Sequence, residues 1–259
     1  MTSGFELKPA AYISAVAPPV SSAPLAIAAF TDDGVPVFAR FSCPRGRGYI
    51  GPVDLDFPFE AFLQRVEARL DPVDLAKVPA AEEGVTHAAV TLLLRPADAA
   101  AGATGDLAEI LFIKRAERAG DPWSGHLAFP GGRAEKQDAT LLDIAMRETA
   151  EEVGIDARLG GRLLGRLPTV RPLSTRIPSI TVTPFVALAP RGAIPRVQPA
   201  EVEEAFWMPL AALRRTGRSA VVRWESKDGT REFPAFPSPK GPIWGITERI
   251  LSQFLALAE

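Results

Sequence analysis

From residue 85 to the C-terminus the sequence predicts an α/β (α+β) fold, in which strands and helices alternate. β-rich segments at residues 88–94, 109–114, 162–167 and 179–188 surround one long helical segment, and a second helical segment closes the chain. With 47% hydrophobic residues, the 259-residue chain has enough apolar side chains for one sizeable core. Residues 1–84 differ in pattern, and we expect them to form an N-terminal accessory segment.

The accessory segment has its own predicted elements. Residues 25–30 and 35–41 flank the turn sequence Asp32-Asp33-Gly34 and predict two strands. Apolar residues at helical spacing between Phe59 and Leu70 predict an amphipathic helix. The polar stretch at residues 79–84 is the predicted boundary, which leaves residues 85–259 as the second domain.

That second domain contains a chain reversal followed by a helix. Residues 127–129 form a short β-rich segment that leads into Pro130-Gly131-Gly132, a typical turn sequence. The helix is expected to begin with Asp138 or Thr140 as its N-cap and to end at Gly154. The remaining predicted elements are a hairpin around residues 228–229 and a helix over residues 246–257.

Composition and charge argue against several classes of protein. The net charge of −2 gives no global field that would draw the chain to nucleic acid or to an anionic membrane. Cys43 is the only cysteine, which excludes an internal disulfide and a cysteine-based zinc site. No stretch approaches the roughly 20 apolar residues of a membrane helix, and the N-terminus lacks the basic leader of a signal peptide. We therefore expect a cytoplasmic protein without nucleic-acid or membrane partners, and the oligomeric state stays open.

The predicted long helix carries three glutamates on one face. Glu148, Glu151 and Glu152 occupy positions i, i+3 and i+4. Crowded carboxylates repel one another unless a cation neutralises them, and hard oxygen ligands suit Mg²⁺ or Mn²⁺. Arg147 precedes Glu151 by one turn and can hold that carboxylate through a charge-assisted bond. The alternative is a solvated acidic face with one ion pair, and the glycines on both sides of the helix argue against it.

The stretch from Gly132 to Ile155 resembles the signature of the Nudix hydrolase family, which combines a glycine, an acid and an Arg-Glu-apolar-x-Glu-Glu-x-Gly-apolar helix. The sequence departs from that pattern at Asp138, where a glutamate is usual, and at Thr149, where an apolar residue is usual. The spacer between Asp138 and Arg147 is also one residue longer. The longer spacer is similar to the coenzyme A pyrophosphatase branch of the family. The matching residues are Gly132, Asp138, Arg147, Glu148, Glu151, Glu152, Gly154 and Ile155.

The flanking sequence also resembles that branch. Before the signature, Lys114-Arg115 and the later Gly125 and Phe129-Pro130-Gly131-Gly132 are similar, in a degenerate form, to the coenzyme A motif of that branch. After it, three further segments look like the branch. These are residues 181–186, 201–210 and 243–247.

The resemblance implies a mixed β-sheet sandwiched between helices, with a metal held by the signature. Glu148 and Glu152 would be the principal ligands, and Glu151 would be a ligand or the group that orients the attacking water. A backbone carbonyl near Gly131 or Gly132 would assist, and Glu201 is a candidate ligand from outside the signature. The predicted catalytic residues are Arg147, Glu148 and Glu151, and the predicted metal ligands are Gly132, Glu148, Glu151, Glu152 and Glu201.

The resemblance also implies a small-molecule diphosphate substrate, cleaved with Mg²⁺ or Mn²⁺ as cofactor. Lys114, Arg115 and Arg118 are candidate contacts for the extra phosphate of coenzyme A, with ordinary surface charge as the alternative. Trp123 is a candidate for base stacking, with loop packing as the alternative, whereas Trp244 is expected in the core. We expect coenzyme A or an acyl derivative as substrate. The alternatives are ADP-ribose or another nucleoside diphosphate compound, and a catalytically silent nucleotide-sensing module.

Overall fold

The computed structural model describes residues 57–73, 85–97, 108–119, 123–172, 179–226 and 229–258, which all belong to one compact unit, Pro52–Glu259. The two strands expected in residues 25–41 lie outside the described residues. In chain order the elements are α1 (Phe57–Glu67), β1 (Val85–Pro96), β2 (Ala108–Arg115), β3 (Leu127–Ala128), β4 (Gly131–Arg133), α2 (Leu141–Val153), β5 (Arg162–Arg166), β6 (Ser179–Leu188), β7 (Val202–Pro209), α3 (Leu210–Thr216), β8 (Ala220–Ser226), β9 (Gly229–Phe236), β10 (Ile243–Trp244) and α4 (Gly245–Leu257).

A mixed sheet forms the centre of the described structure. Its strands follow the order β3-β2-β1-β6-β5, and β4 and β7 pair with β1 and β2 respectively. Strand β1 pairs in parallel with β6 from Val85 to Leu94 and antiparallel with β4 and β2 on its other edge. A strand as long as β1 can serve two partners on one edge, and this places the glycine turn of β4 beside the middle of the sheet.

Both faces of this sheet are covered, as alternating side chains show. Along β2, Ile110 and Phe112 join the core cluster that contains α1 and α4, whereas Leu111 and Ile113 join the cluster that contains α2. The alternation has a period of two because successive strand residues point to opposite faces. The predicted mixed α/β architecture, with a sheet between helices, is confirmed.

Helix α1 belongs to the same core as the sheet, although it lies before the boundary expected near residue 84. Its apolar face buries Phe59, Phe62, Leu63 and Val66 in the cluster shared with the sheet. The helix is tied to β5 by an ion pair between Glu60 and Arg162, with Oε1 and Nη1 2.7 Å apart. Helix α1 therefore belongs to the unit that contains the sheet. Whether the preceding residues form a separate accessory unit stays a prediction.

The C-terminal part forms a second, three-stranded sheet of order β10-β9-β8, followed by α4. The hairpin predicted around residues 228–229 corresponds to β8 and β9, and the predicted closing helix corresponds to α4. Helix α4 packs its apolar side chains Ile250, Leu251 and Phe254 into the core. No helix in the described part of the chain is long and apolar enough to cross a membrane.

Candidate active site

Two adjacent glycines bring the turn before α2 into contact with the helix carboxylates. Gly131 has φ of 154°, in the region that favours glycine, and donates its backbone N–H to Glu152 Oε2 at 2.8 Å. A Cβ atom on Gly132 would lie closer than 3.0 Å to the carboxyl group of Glu148, so only a glycine lets that carboxylate approach the backbone. The glycine pair therefore positions two of the three helix glutamates.

The N-cap of helix α2 is Thr140, one of the two N-caps predicted. The Thr140 hydroxyl accepts from the Asp143 N–H at 3.1 Å, and the Asp143 carboxylate accepts from the Thr140 N–H at 2.9 Å, which completes a capping box. The helix ends at Gly154, as predicted, in the left-handed conformation with φ of 68°. These two caps fix which residues of the helix face the glycine turn.

Asp138, the other predicted N-cap, instead binds Arg147. The two side chains form a bidentate pair, Nε to Oδ1 at 3.0 Å and Nη2 to Oδ2 at 2.9 Å. The Asp138 side chain is only 2% exposed, and the Arg147 guanidinium holds the pKa of that carboxyl below its ordinary value. This pair joins the loop before α2, which carries Asp138, to α2 itself, which carries Arg147.

Arg147 also reaches the glutamates, so it acts as the central cation of the signature. Its Nη1 lies 3.1 Å from Glu148 Oε1 and 3.0 Å from Glu151 Oε2, and its Nη2 donates to the carbonyl oxygen of Arg133. The hydrogen bond with Asp138 is the largest cause that raises the pKa of Arg147 above its ordinary value. The predicted bond to Glu151 is present, but Arg147 positions Glu148 and the loop as well.

Three carboxylates converge beside the glycine turn. Glu148, Glu152 and Glu201 each offer an oxygen, and these oxygens lie within 4.8 Å of one another. Burial raises the pKa of Glu152 to about 8; the N–H of Gly131 opposes this rise and the charge of Glu148 adds to it. Burial also raises the pKa of Glu148, against the effect of Arg147. Three hard oxygen donors in this arrangement can hold a divalent cation such as Mg²⁺ or Mn²⁺, which would relieve the repulsion.

Glu201 reaches this cluster because the segment before β7 docks on the end of α2. The backbone N–H of Arg196 donates to the Val153 carbonyl at 2.8 Å, and that of Gln198 donates to the Glu152 carbonyl at 2.9 Å. A turn follows in which the N–H of Glu201 donates to the Gln198 carbonyl at 2.9 Å. The carbonyls at a helix C-terminus lack partners within the helix, so the docked segment satisfies them and delivers the carboxylate.

Glu151 lies outside the cluster of three carboxylates. Its side chain is 55% exposed and is bound to Arg147. It belongs instead to the ion-pair network around Arg147. The structure thus brings together three of the predicted ligand side chains, places the backbone of Gly132 against one of them, and leaves Glu151 beside them.

The carboxylates line a cleft of about 1170 Å³ that also contains Arg115, Arg118 and Trp123. Arg118 donates to the Ala200 carbonyl and lies 3.5 Å from Glu201 Oε1. Lys114, predicted with these residues, does not line the cleft, because neighbouring residues of a strand point to opposite faces. Its Nζ lies 2.7 Å from Glu203 Oε1, and that contact raises the pKa of Lys114.

Sequence reasoning missed two features of the site. The first is the bonding of Thr149, the residue that departs from the family pattern: its fully buried hydroxyl donates to the Ala145 carbonyl at 2.6 Å, close to Thr91 of β1. The cleft is also lined by Trp224, Phe233 and Trp244, rings from the second sheet and the start of α4. No local pattern marks these rings as neighbours of the glutamates, because the pairing of distant strands brings them together.

Comparisons with known proteins identify the family of the chain. Residues 86–226, more than half of the chain, match the family described as the NUDIX domain. A probable Nudix hydrolase of Schizosaccharomyces pombe is 31% identical over 133 residues, which cover 51% of this chain and 45% of the relative. An uncharacterized Nudix hydrolase, NudL, of Salmonella newport is 37% identical over 130 residues, which cover 50% of this chain and 65% of the relative.

The chain thus spans about half to two thirds of the length of these relatives. Among solved structures, a Nudix hydrolase from Alicyclobacillus acidocaldarius is 19% identical with a TM-score of 0.47, and the match covers 68% of this chain and 93% of that one. The match to the domain, across β1, the signature helix and the segment that delivers Glu201, shows that the chain belongs to the Nudix family.

Proposed function

We propose that this protein is a hydrolase that depends on Mg²⁺ or Mn²⁺ and cleaves the diphosphate linkage of a nucleotide-type substrate. The observation that carries the proposal is the convergence of Glu148, Glu152 and Glu201 within 4.8 Å of one another in a cleft that also holds arginines. A protein that only binds nucleotides does not need three crowded carboxylates. Family membership, and relatives named as hydrolases, support the same conclusion.

The residues have distinct roles in this proposal. Glu148, Glu152 and Glu201 hold the cation, and the backbone of Gly132 lies beside Glu148, where its carbonyl is a further candidate ligand. A bound divalent cation would supply charge neutralisation at the diphosphate oxygens and a lowered pKa for water. Arg147 is a positioning residue, because it anchors Glu148 to the loop through Asp138. For Glu151, which lies outside the cluster, we propose the role of orienting the attacking water.

The proposed substrate is coenzyme A or an acyl derivative. Support comes from the longer spacer between Asp138 and Arg147 and from the flanking segments that resemble the coenzyme A branch. The cleft volume of about 1170 Å³ is slightly above the usual range of ligand pockets, which suits a large nucleotide. Arg115 and Arg118, both in the cleft, are the proposed contacts for the 3′-phosphate, and Lys114 is less suited because it pairs with Glu203.

The experiment that tests the proposal incubates the pure protein with Mg²⁺ or Mn²⁺ and a panel of diphosphate compounds, with products identified by mass. Coenzyme A should yield 4′-phosphopantetheine and adenosine 3′,5′-bisphosphate, and dephospho-coenzyme A should show a lower kcat/KM because it lacks the 3′-phosphate. Equal kcat/KM for coenzyme A and dephospho-coenzyme A, or a clear preference for ADP-ribose, would refute coenzyme A as the substrate. Either result would still support a diphosphate hydrolase. No turnover of any diphosphate would favour the nucleotide-sensing module.

A further inference from the structure

A cluster of aromatic rings lines the cleft on the side of the second sheet. Trp244, the residue before α4, is at its centre. The Trp244 ring centroid lies 4.8 Å from that of His126, 5.5 Å from that of Phe233 and 5.7 Å from that of Trp224, all in tilted arrangements. All four residues line the same cleft as the carboxylates. The rings therefore support one another within a surface that faces a ligand space.

The β8–β9 hairpin presents two chemically different faces. Trp224 is the cross-strand partner of Arg231, and cross-strand partners share a face of the sheet. Both residues line the cleft. Arg223 and Glu232 form the adjacent pair on the other face, joined by a 2.8 Å ion pair, with side chains 76% and 58% exposed. The hairpin thus turns an indole and a cation toward the cleft and an ion pair toward solvent.

Trp224 is 41% exposed, although its ring centroid lies 5.7 Å from that of Trp244. A tryptophan that only filled the core would be covered by other side chains. The cluster also adjoins the strand that carries Arg115, since the Arg115 N–H donates to the His126 carbonyl at 3.0 Å. Ring surface is therefore open within the cleft that holds the carboxylates.

We propose that Trp224, supported by Trp244 and Phe233, is the platform on which the flat base of a nucleotide stacks, with Arg231 beside it as the cation for the nucleotide phosphate. Stacking on an indole suits any base, because every base has a π-face, and a neighbouring arginine adds charge. This inference rests on the proposed function and adds the place where the base of the substrate binds.

The test uses AMP and ribose 5-phosphate, which share the phosphate and ribose and differ in the base. Binding to the full-length protein is measured by ligand-observed NMR titration with EDTA present. Wild type should bind AMP at least about tenfold more tightly than ribose 5-phosphate. Trp224→Ala should weaken AMP binding about 5- to 100-fold and leave ribose 5-phosphate binding unchanged, whereas Trp224→Phe should stay close to wild type.

Two arginine variants form the matched control. Arg231→Ala should weaken the binding of both ligands, and Arg223→Ala, on the opposite face of the same hairpin, should change neither. Equal binding of AMP and ribose 5-phosphate by wild type would overturn the proposal. So would AMP binding within twofold of wild type in a Trp224→Ala protein whose circular dichroism is native. AMP contains no diphosphate and no metal is added, so either result is independent of whether the protein hydrolyses diphosphates.

Discussion

The adjacent glycines of the turn allow a test in which two similar substitutions affect different properties, one turnover and the other stability. In Gly132→Ala the three atoms nearest to the new methyl group all belong to the carboxyl end of Glu148, and Gly132 does not have the positive φ of its neighbour. In Gly131→Ala the methyl group would lie 2.6 Å from Val90 Cα, which is backbone of the central strand. A flexible carboxylate can move away, whereas a strand in the middle of a sheet cannot.

The expected magnitudes follow from these contacts. Gly132→Ala should change the free energy of unfolding by less than about 1 kcal/mol, because Gly→Ala at a compatible φ is close to neutral. The displaced Glu148 carboxylate should lower turnover by roughly 10²-fold, the cost of a misplaced catalytic group. Gly131→Ala combines a strained φ, about 1–3 kcal/mol, with overpacking against backbone, about 1–3 kcal/mol. Its Tm should fall by about 5–20 °C.

Thermal unfolding by circular dichroism and Mg²⁺-dependent turnover measure the two effects separately. Gly132→Ala should unfold within a few degrees of wild type, lose most of its activity and lack the increase in Tm that we expect added Mg²⁺ to give in wild type. Full turnover in Gly132→Ala, or wild-type stability in Gly131→Ala, would show that the turn does not position the carboxylates as described.

Three further predictions concern the Arg147 network, pH and the N-terminal helix. Arg147→Lys cannot keep the bidentate bond to the buried side chain of Asp138, so it should lower turnover about tenfold to 100-fold and the free energy of unfolding by about 1–3 kcal/mol. As a control, Arg158→Lys changes an exposed arginine that pairs with Asp156, and it should change stability by less than about 1 kcal/mol. Equal effects in the two variants would argue against the Arg147 network. The folded-state pKa of Glu152, about 8, lies above its ordinary value of 4.5, so protonation stabilises the fold. Without metal, the free energy of unfolding should therefore fall by at most about 5 kcal/mol as pH rises from about 4.5 through about 8. Glu152→Gln should flatten this pH dependence in denaturant titrations. An unchanged pH dependence in Glu152→Gln would contradict the raised pKa of Glu152. A chain that begins at residue 52 should fold. A chain that begins at residue 79 loses four buried α1 side chains, which contribute about 1.5–3 kcal/mol each, and should be unfolded. A folded, active chain from residue 79 would instead support the domain boundary near residue 84.

Local sequence patterns predicted the elements of the signature well. Helical spacing placed Glu148 and Glu152 on one face, and Gly154 ended the helix where expected, because both depend on residues within one or two turns. The predicted N-cap at Asp138 was less accurate than that at Thr140. Both residue types are suitable N-caps. The carboxylate of Asp138 instead binds Arg147, which lies nine positions later in the chain.

Features that depend on tertiary packing could not be predicted from these patterns. Glu201 was one of several neighbouring glutamates, and its selection follows from the docking of residues 196–198 on the end of α2. Trp244 was expected in the core, yet it is the centre of an aromatic cluster in the cleft, because β10 pairs with β9 there. Lys114 and Arg115, which are adjacent in sequence, were both predicted as substrate contacts. Adjacent strand residues point to opposite faces, so only Arg115 lines the cleft.

The most direct test of the metal site is the turnover of a diphosphate substrate by wild type, Glu152→Gln and Glu203→Gln at saturating Mg²⁺. Glu152→Gln keeps the shape of a side chain that is 3% exposed and removes its charge from the cluster, so the rate should fall by roughly 10²-fold or more while folding is retained. Glu203→Gln makes the same chemical change at a residue that pairs with Lys114 outside the cluster, and its rate should match wild type. Comparable turnover in Glu152→Gln and wild type would contradict the proposal that these carboxylates hold the catalytic metal.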